Sequence, residues 1–161
     1  MSDGPQLIVG ISDIKIGKNP ARILTNLGSC VGVCLYSSYA KAGGMLHCMF
    51  PIAGDNRDHL NFCDAKYADS GVHELVAELK RAYGIEPHTL TAKIFGGANM
   101  LKTLSMNIGQ QNEQSIRAVL KELHIPILSF KTGGEKGYQI DFNMEDGSVL
   151  CRVFGEEPQE F

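Results

Sequence analysis

The 161 residues predict an α+β domain in which mixed or mostly antiparallel sheets carry two helices on the outside. Strand-like segments heavily outnumber helical ones. The order is a run of strands, a helix, a strand, a helix and three more strands, without the strict alternation of a doubly wound parallel sheet. The chain is 43% apolar and long enough for one good core but short for two. We therefore read residues 1–161 as a single domain, with short frayed ends near 1–5 and 156–161.

Leu7 to Ile16 mixes β-branched residues with alternation and stops at the turn "GKNP", so it reads as a strand. Arg22 to Leu27, Val31 to Tyr36 and Ala42 to Phe50 follow as short strands. The last two flank a polar stretch centred on Ser37-Ser38-Tyr39-Ala40 and suggest a hairpin. Between Lys66 and Tyr83, apolar residues recur every three or four positions (Ala68, Val72, Leu75, Val76, Leu79, Tyr83) and Gly84 stops them, which is a helix with one buried stripe. Leu90 to Phe95 is a strand running into "GGAN". Ile116, Val119, Leu120 and Leu123 mark a second helix, and Ile127 to Lys131, Tyr138 to Phe142 and Ser148 to Phe154 close the chain as strands.

The net charge of -3, with cations dispersed singly, lacks the basic stripe of a nucleic-acid binder. No leader-like N-terminus and no apolar run near about 18 residues occurs, so the expected location is the cytoplasm. Cys30, Cys34, Cys48, Cys63 and Cys151 are odd in number and lack paired CxxC spacing, which points to free thiols. "TGGEKG" at Thr132–Gly137 has no Ser or Thr after its lysine, as a phosphate loop needs, and "GKN" at Gly17–Asn19 fails likewise. In "HELVA" the position one turn after His73 is Ala77, so two imidazoles cannot converge on a zinc ion. His47, Cys48, His59 and Cys63 match no familiar metal spacing. No metal or cofactor is expected.

The stretch "LGSCVGVC" raises the central question of whether Cys30 is a small core residue or a nucleophile. If the hairpin turn is centred between Ser38 and Tyr39, Cys30 lies opposite His47, on the same face and close enough for thiol and imidazole to meet. A thiolate beside an imidazolium is acyl-transfer machinery, since the imidazolium lowers the thiol pKa and later protonates a leaving amine. Gly28 would permit a close backbone approach, N–H groups of Ser29 and Cys30 could hold an oxyanion, and Thr25 could accept from the second ring nitrogen. Each residue also has a plainer reading. Free cysteine is among the most buried residue types, and core is the expectation for Cys34, Cys48, Cys63 and Cys151. Spacing alone leaves Cys30 open between the two roles, His47 could be a structural histidine, Thr25 a β-former, and the glycines turn residues.

The residues also carry a resemblance. "GKNP", "LGSCVGVCLY", "GGMLHCMFP", "KYADSGVHELVAELK", "AKIFGGANM", "MNIGQQN" and "TGG" follow in order along nearly the whole chain, and together they resemble the CheD family of chemoreceptor glutamine deamidases. The resemblance implies a cysteine-hydrolase fold of two packed mixed sheets with flanking helices, related to a bacterial toxin deamidase. It also implies that Cys30 is the nucleophile and His47 its partner. The family threonine falls on Thr25 counted from Pro20, or on Leu24 counted back from the cysteine of some relatives; only Thr25 has the chemistry. The implied substrates are glutamines on the cytoplasmic helices of methyl-accepting chemoreceptors, with glutamyl methyl esters sharing the same acyl intermediate. The implied regulatory partner is a CheC-type phosphatase, and the rival reading is a binding module that serves that phosphatase. Loops Phe95–Met100 and Met106–Gln110 are expected to rim the site, with Gly97 and Asn99 positioning substrate or backbone. Gln110, Gln111 and Ser37 depart from residues common in the family.

Overall fold

Residues 4–54, 63–100 and 107–161 are described by the computed structural model of the chain. Leu7–Ile16, expected as one strand, is two: β1 (Gln6–Ile8) and β2 (Asp13–Lys18) belong to different sheets. The chain turns between them with Ser12 in the left-handed region, φ 61°. Two strand-forming pieces with different partners therefore look continuous in sequence.

β3 (Arg22–Leu27), β4 (Val31–Ser37) and β5 (Ala42–Cys48) follow, then a 3-10 turn at Asp64–Lys66, helix α1 (Ala68–Tyr83), and β6 (Thr91–Gly96). Helix α2 (Ile108–Glu122) leads to β7 (Ile127–Thr132), β8 (Tyr138–Asn143), β9 (Val149–Val153) and β10 (Gln159–Glu160). One sheet has the order β1-β3-β8-β9-β10 and the other β2-β5-β4-β6-β7. Each contains one parallel pair, β1 with β3 and β6 with β7, among antiparallel ones, so both are mixed.

Side chains alternate across a strand, and this alternation builds two cores. Val33, Leu35, Leu46 and Ile94 on the outer face of the second sheet meet Leu75 and Leu79 of α1 and Ile116 and Leu120 of α2. Cys34, Met45 and Phe95 on its inner face meet Ile23, Ile140 and Phe142 of the first sheet. Gly84 ends α1 in the left-handed region at φ 67°, as its stop position predicts. Helix α2 starts earlier than its apolar stripe indicated, because the Asn107 side chain caps it by accepting from the Gln110 N–H at 3.0 Å.

Within the ends expected to fray, Pro5 and residues 159–161 are paired. The Pro5 carbonyl accepts the Arg22 N–H, and at the C-terminus Gln159 and Glu160 pair with Cys151 and Leu150 while the Phe161 ring meets Phe95 edge-on. The tail is polar in sequence because only its backbone and its last ring are used. Residues 1–3 lie outside the described residues. Of the cysteines expected in the core, Cys34, Cys48 and Cys151 are buried, but Cys63 is exposed, since it precedes the Asp64–Lys66 turn instead of facing a helix.

Candidate active site

Between Leu27, the last residue of β3, and Val31, the first of β4, the chain passes from one sheet to the other through Gly28-Ser29-Cys30. This crossing is pinned from the end of β6. Gly97 donates its N–H to the Cys30 carbonyl at 2.9 Å and Ala98 donates to the Gly28 carbonyl at 3.0 Å. A Cβ on Gly96, which has φ 97°, would stand 2.6 Å from the Cys30 carbonyl oxygen, so glycine is required for that approach. Gly28 itself is not crowded: a Cβ there would meet Met100 at an ordinary 3.6 Å. The tight approach expected of Gly28 belongs instead to Gly96 and Gly97.

The hairpin register differs from the expectation. Ser37 pairs with Ala42, so the turn is centred one residue later, and His47 stands opposite Gly32 instead of Cys30. Ser37 looks like a turn residue but is buried in the ladder, where its Oγ accepts the Ala40 N–H at 3.2 Å. The slip leaves Cys30 two residues from Gly32. Cys30, just before the first residue of β4, packs against the inter-sheet core, the side toward which His47 points.

Thr25, on the inner face of the first sheet, spans the gap to His47. Its Oγ1 lies 2.9 Å from His47 Nδ1 and donates to the Val9 carbonyl at 2.7 Å. A hydroxyl has one proton. With that proton given to Val9, Thr25 can only accept from His47, which places the imidazole proton on Nδ1 and leaves Nε2 with a bare lone pair. Among the described residues Nε2 is buried without a hydrogen-bond partner. The neighbouring residue, Leu24, points the other way along β3.

Burial sets the charge states. It pushes the His47 pKa down to about 4 against the pull of Asp13, which stands directly across the β2–β5 ladder, and it raises the Cys30 thiol above its ordinary value. Both shifts favour a thiol beside a neutral imidazole over an ion pair, a resting state that the sequence left open. A cavity of about 270 Å³, lined by Ile8, Ile11, Asn26 and Gln139 among others, reaches Thr25 and His47. Cys30 is not among its lining residues.

The backbone donors divide into two kinds. The N–H groups of Gly97 and Asn99 are occupied, by the Cys30 and Gly134 carbonyls, so these residues shape the loop. Among the described residues, the N–H groups of Ser29 and Cys30 go to no backbone carbonyl, and Ser29 is exposed. Met100 is exposed and lies over Gly28. Gly109 is buried in α2 against Gly97; Met106 lies outside the described residues. Gln110 and Gln111 are exposed in the first turn of α2. No three His, Cys, Asp or Glu side chains cluster for a metal among the described residues, which exclude His59, and His73 is exposed. The Val9 carbonyl and Asp13 were missed in the sequence, the first because a carbonyl has no side-chain signature and the second because its place opposite His47 needs the β2–β5 register.

A family described as CheD chemotactic sensory transduction matches residues 49–153. That match begins after His47, and the relatives align over a longer stretch. The chain is 40% identical over 149 residues to the chemoreceptor glutamine deamidase CheD of Thermotoga maritima, covering 92% of each. It is also 40% identical over 156 residues to the probable chemoreceptor glutamine deamidase CheD of Desulforamulus reducens, covering 93% of this chain and 92% of that one. Among solved structures, the Bacillus licheniformis hypothetical protein YfiH superimposes with a TM-score of 0.50 at 14% identity, over 74% of this chain and half of that one, a likeness of fold alone. Agreement at 40% identity along more than nine-tenths of both sequences goes well beyond a shared fold, and the chain belongs to the CheD family.

Proposed function

We propose that this protein hydrolyses the carboxamide of specific glutamine side chains on chemoreceptors to glutamate, with Cys30 as nucleophile and His47 as its base. The observation that carries the assignment of roles is the chain from the Val9 carbonyl through Thr25 to His47 Nδ1, because it leaves Nε2 as a proton acceptor on the face that Cys30 shares. Hydrogen bonds of this kind are often long before substrate arrives and tighten in the complex.

Because both groups are neutral at rest, the Cys30 proton passes to His47 Nε2 as the sulfur bonds to the amide carbon. Charge builds on the amide oxygen, and the N–H groups of Ser29 and Cys30 receive it. The His47 imidazolium then protonates the amide nitrogen, the C–N bond breaks and ammonia leaves. Water, deprotonated by neutral His47, attacks the thioester; the C–S bond breaks, glutamate departs and the thiol is restored. Water and amide are consumed and ammonia and acid appear, with no oxidant, metal or cofactor needed for balance. Thr25 holds the tautomer throughout.

The product carries one more negative charge than the substrate, and like charges on neighbouring helix positions repel, so each event alters receptor packing. A substrate on receptor cytoplasmic helices places this work in the cytoplasm; no described helix is long and apolar enough to cross a membrane. Glutamyl methyl esters would pass through the same thioester, and a CheC-type phosphatase is the expected regulator. The test is mass spectrometry of chemoreceptor cytoplasmic fragments incubated with wild type or Cys30→Ala. A gain of about 1 Da per site with wild type only is the expected result for amide to acid. No gain with wild type on any cognate receptor overturns the assignment and leaves the binding module.

A further inference from the structure

Asp13 faces His47 directly: the two are paired across the antiparallel β2–β5 ladder, which puts their Cβ atoms roughly 4.5–5.5 Å apart on one face. The chain is arranged to bring this about. Ser12 takes a left-handed conformation, φ 61°, and donates its N–H to the His47 carbonyl at 2.9 Å, so the strand begins with an acid beside the imidazole. The Asp13 carboxylate makes a 3.0 Å ion pair with Lys15 and is part exposed. No hydrogen bond to the ring occupies it among the described residues; Thr25 holds Nδ1 from the opposite sheet.

We propose that Asp13 is a positioning residue for the deamidation, its carboxylate stabilising the imidazolium that forms when His47 takes the Cys30 proton. This rests on the deamidase reading above. A buried imidazole resists charge. Transfer from the thiol therefore needs a negative group nearby that does not itself bind the proton. Asp13 meets that need, and Lys15 tempers it by pairing with the same carboxylate. The other charges lie elsewhere. β3 presents Thr25, β4 presents Gly32, and the crossing between them carries the Cys30 thiol. From the far face of β5, α1 and the Asp64–Lys66 turn bring Asp64, Lys66, Asp69 and Glu78; Glu78 feels Asp13 and Lys15. Burial and Asp13 pull the His47 equilibrium in opposite directions, in keeping with this placement.

The test follows the His47 ring by NMR, its resonances identified by their loss in His47→Gln, in wild type, Asp13→Asn, Asp13→Glu and Lys15→Gln. Asp13→Asn should lower the His47 midpoint by about half a pH unit, as expected for a partly exposed neighbour. Asp13→Glu should restore it, and Lys15→Gln should raise it. Turnover of a receptor fragment at neutral pH should fall in kcat about threefold for Asp13→Asn, the kinetic equivalent of that shift, with KM unchanged. An unmoved midpoint in Asp13→Asn, or movement of the same sign in Asp13→Asn and Lys15→Gln, overturns the proposal. Absence of turnover by wild type would fail the deamidase reading instead, leaving the NMR measurement to decide the coupling of Asp13 to His47.

Discussion

Thr25 and His47 meet across the two sheets with Oγ1 and Nδ1 2.9 Å apart, and the threonine proton is already given to the Val9 carbonyl at 2.7 Å. The direction of that chain is forced by proton count. A threonine therefore does what a carboxylate does in other triads, fixing the tautomer, but without a charge to stabilise the imidazolium. Burial, which Thr25 does nothing to offset by charge, pushes the His47 pKa down to about 4.

Thr25→Val keeps the shape and removes the acceptor. Nδ1–H and the Val9 carbonyl are then left buried without their partner, which costs about 1–3 kcal/mol. Deamidation should fall by roughly a hundredfold, since His47 is free to take the wrong tautomer. Thr25→Ser, which retains the hydroxyl, should keep most of the activity. Urea melts and receptor turnover on the two variants separate the outcomes; equal activity of Val and Ser variants would show that the hydroxyl does not set the tautomer.

Much of this arrangement was legible in the residues, and what was not has identifiable causes. The hairpin was readable but its register was not, because Ser37 has turn chemistry and yet occupies the last ladder position opposite Ala42. Cys30 nevertheless packs on the inter-sheet core that His47 faces. The split of Leu7–Ile16 into strands of different sheets depends on the left-handed Ser12, a conformation that composition does not announce. Helix α2 was placed by its apolar stripe, but its first turn carries Gly109 and three polar residues and is fixed by a cap and by packing on Gly97. Long-range pairing decides the rest: Thr25 is a β-former until the other sheet supplies His47.

The thiols should differ in accessibility. With iodoacetamide at neutral pH, Cys63 should react first because it is exposed, Cys30 more slowly and faster as pH rises, because burial holds it as the thiol. Cys34, Cys48 and Cys151 should label only on unfolding; burial pushes Cys48 up to about 12 and Cys151 to about 11. Intact-mass and peptide analysis against time gives the order. A Cys30 that alkylates at its full rate at pH 6 would mean a resting thiolate and a different first step.

Stability should depend on pH through His47. Its folded pKa, about 4, lies below the ordinary value of 6.5, so between the two the unfolded chain binds the extra proton and stability rises with pH. The contribution is complete above about pH 6.5, is lost as pH falls toward 4, and does not change further below it. Its size is on the order of 3 kcal/mol. Urea unfolding at pH 7 and pH 4.5 measures it, with His47→Gln as reference. The expected outcome is a smaller loss of stability in His47→Gln over that interval; identical losses in both proteins would place the imidazole in a more solvated setting.

The bracing of Cys30 can be tested at a distance. A methyl at Gly109 would overlap the Gly97 carbonyl, and the Gly97 N–H is the group that holds the Cys30 carbonyl at 2.9 Å. In Gly109→Ala either α2 shifts or the 96–98 turn moves and takes Cys30 with it. Overpacking of this kind costs about 1–3 kcal/mol. Half-buried Gly133, whose Cβ would meet nothing within 4 Å but whose φ is 86°, is the control, since Gly133→Ala carries the backbone strain without the overlap. Gly109→Ala should lose deamidation out of proportion to its stability at a temperature where both variants remain folded, and Gly133→Ala should not. Equal activity of the two folded variants would mean that α2 yields and the turn beneath Cys30 stays in place.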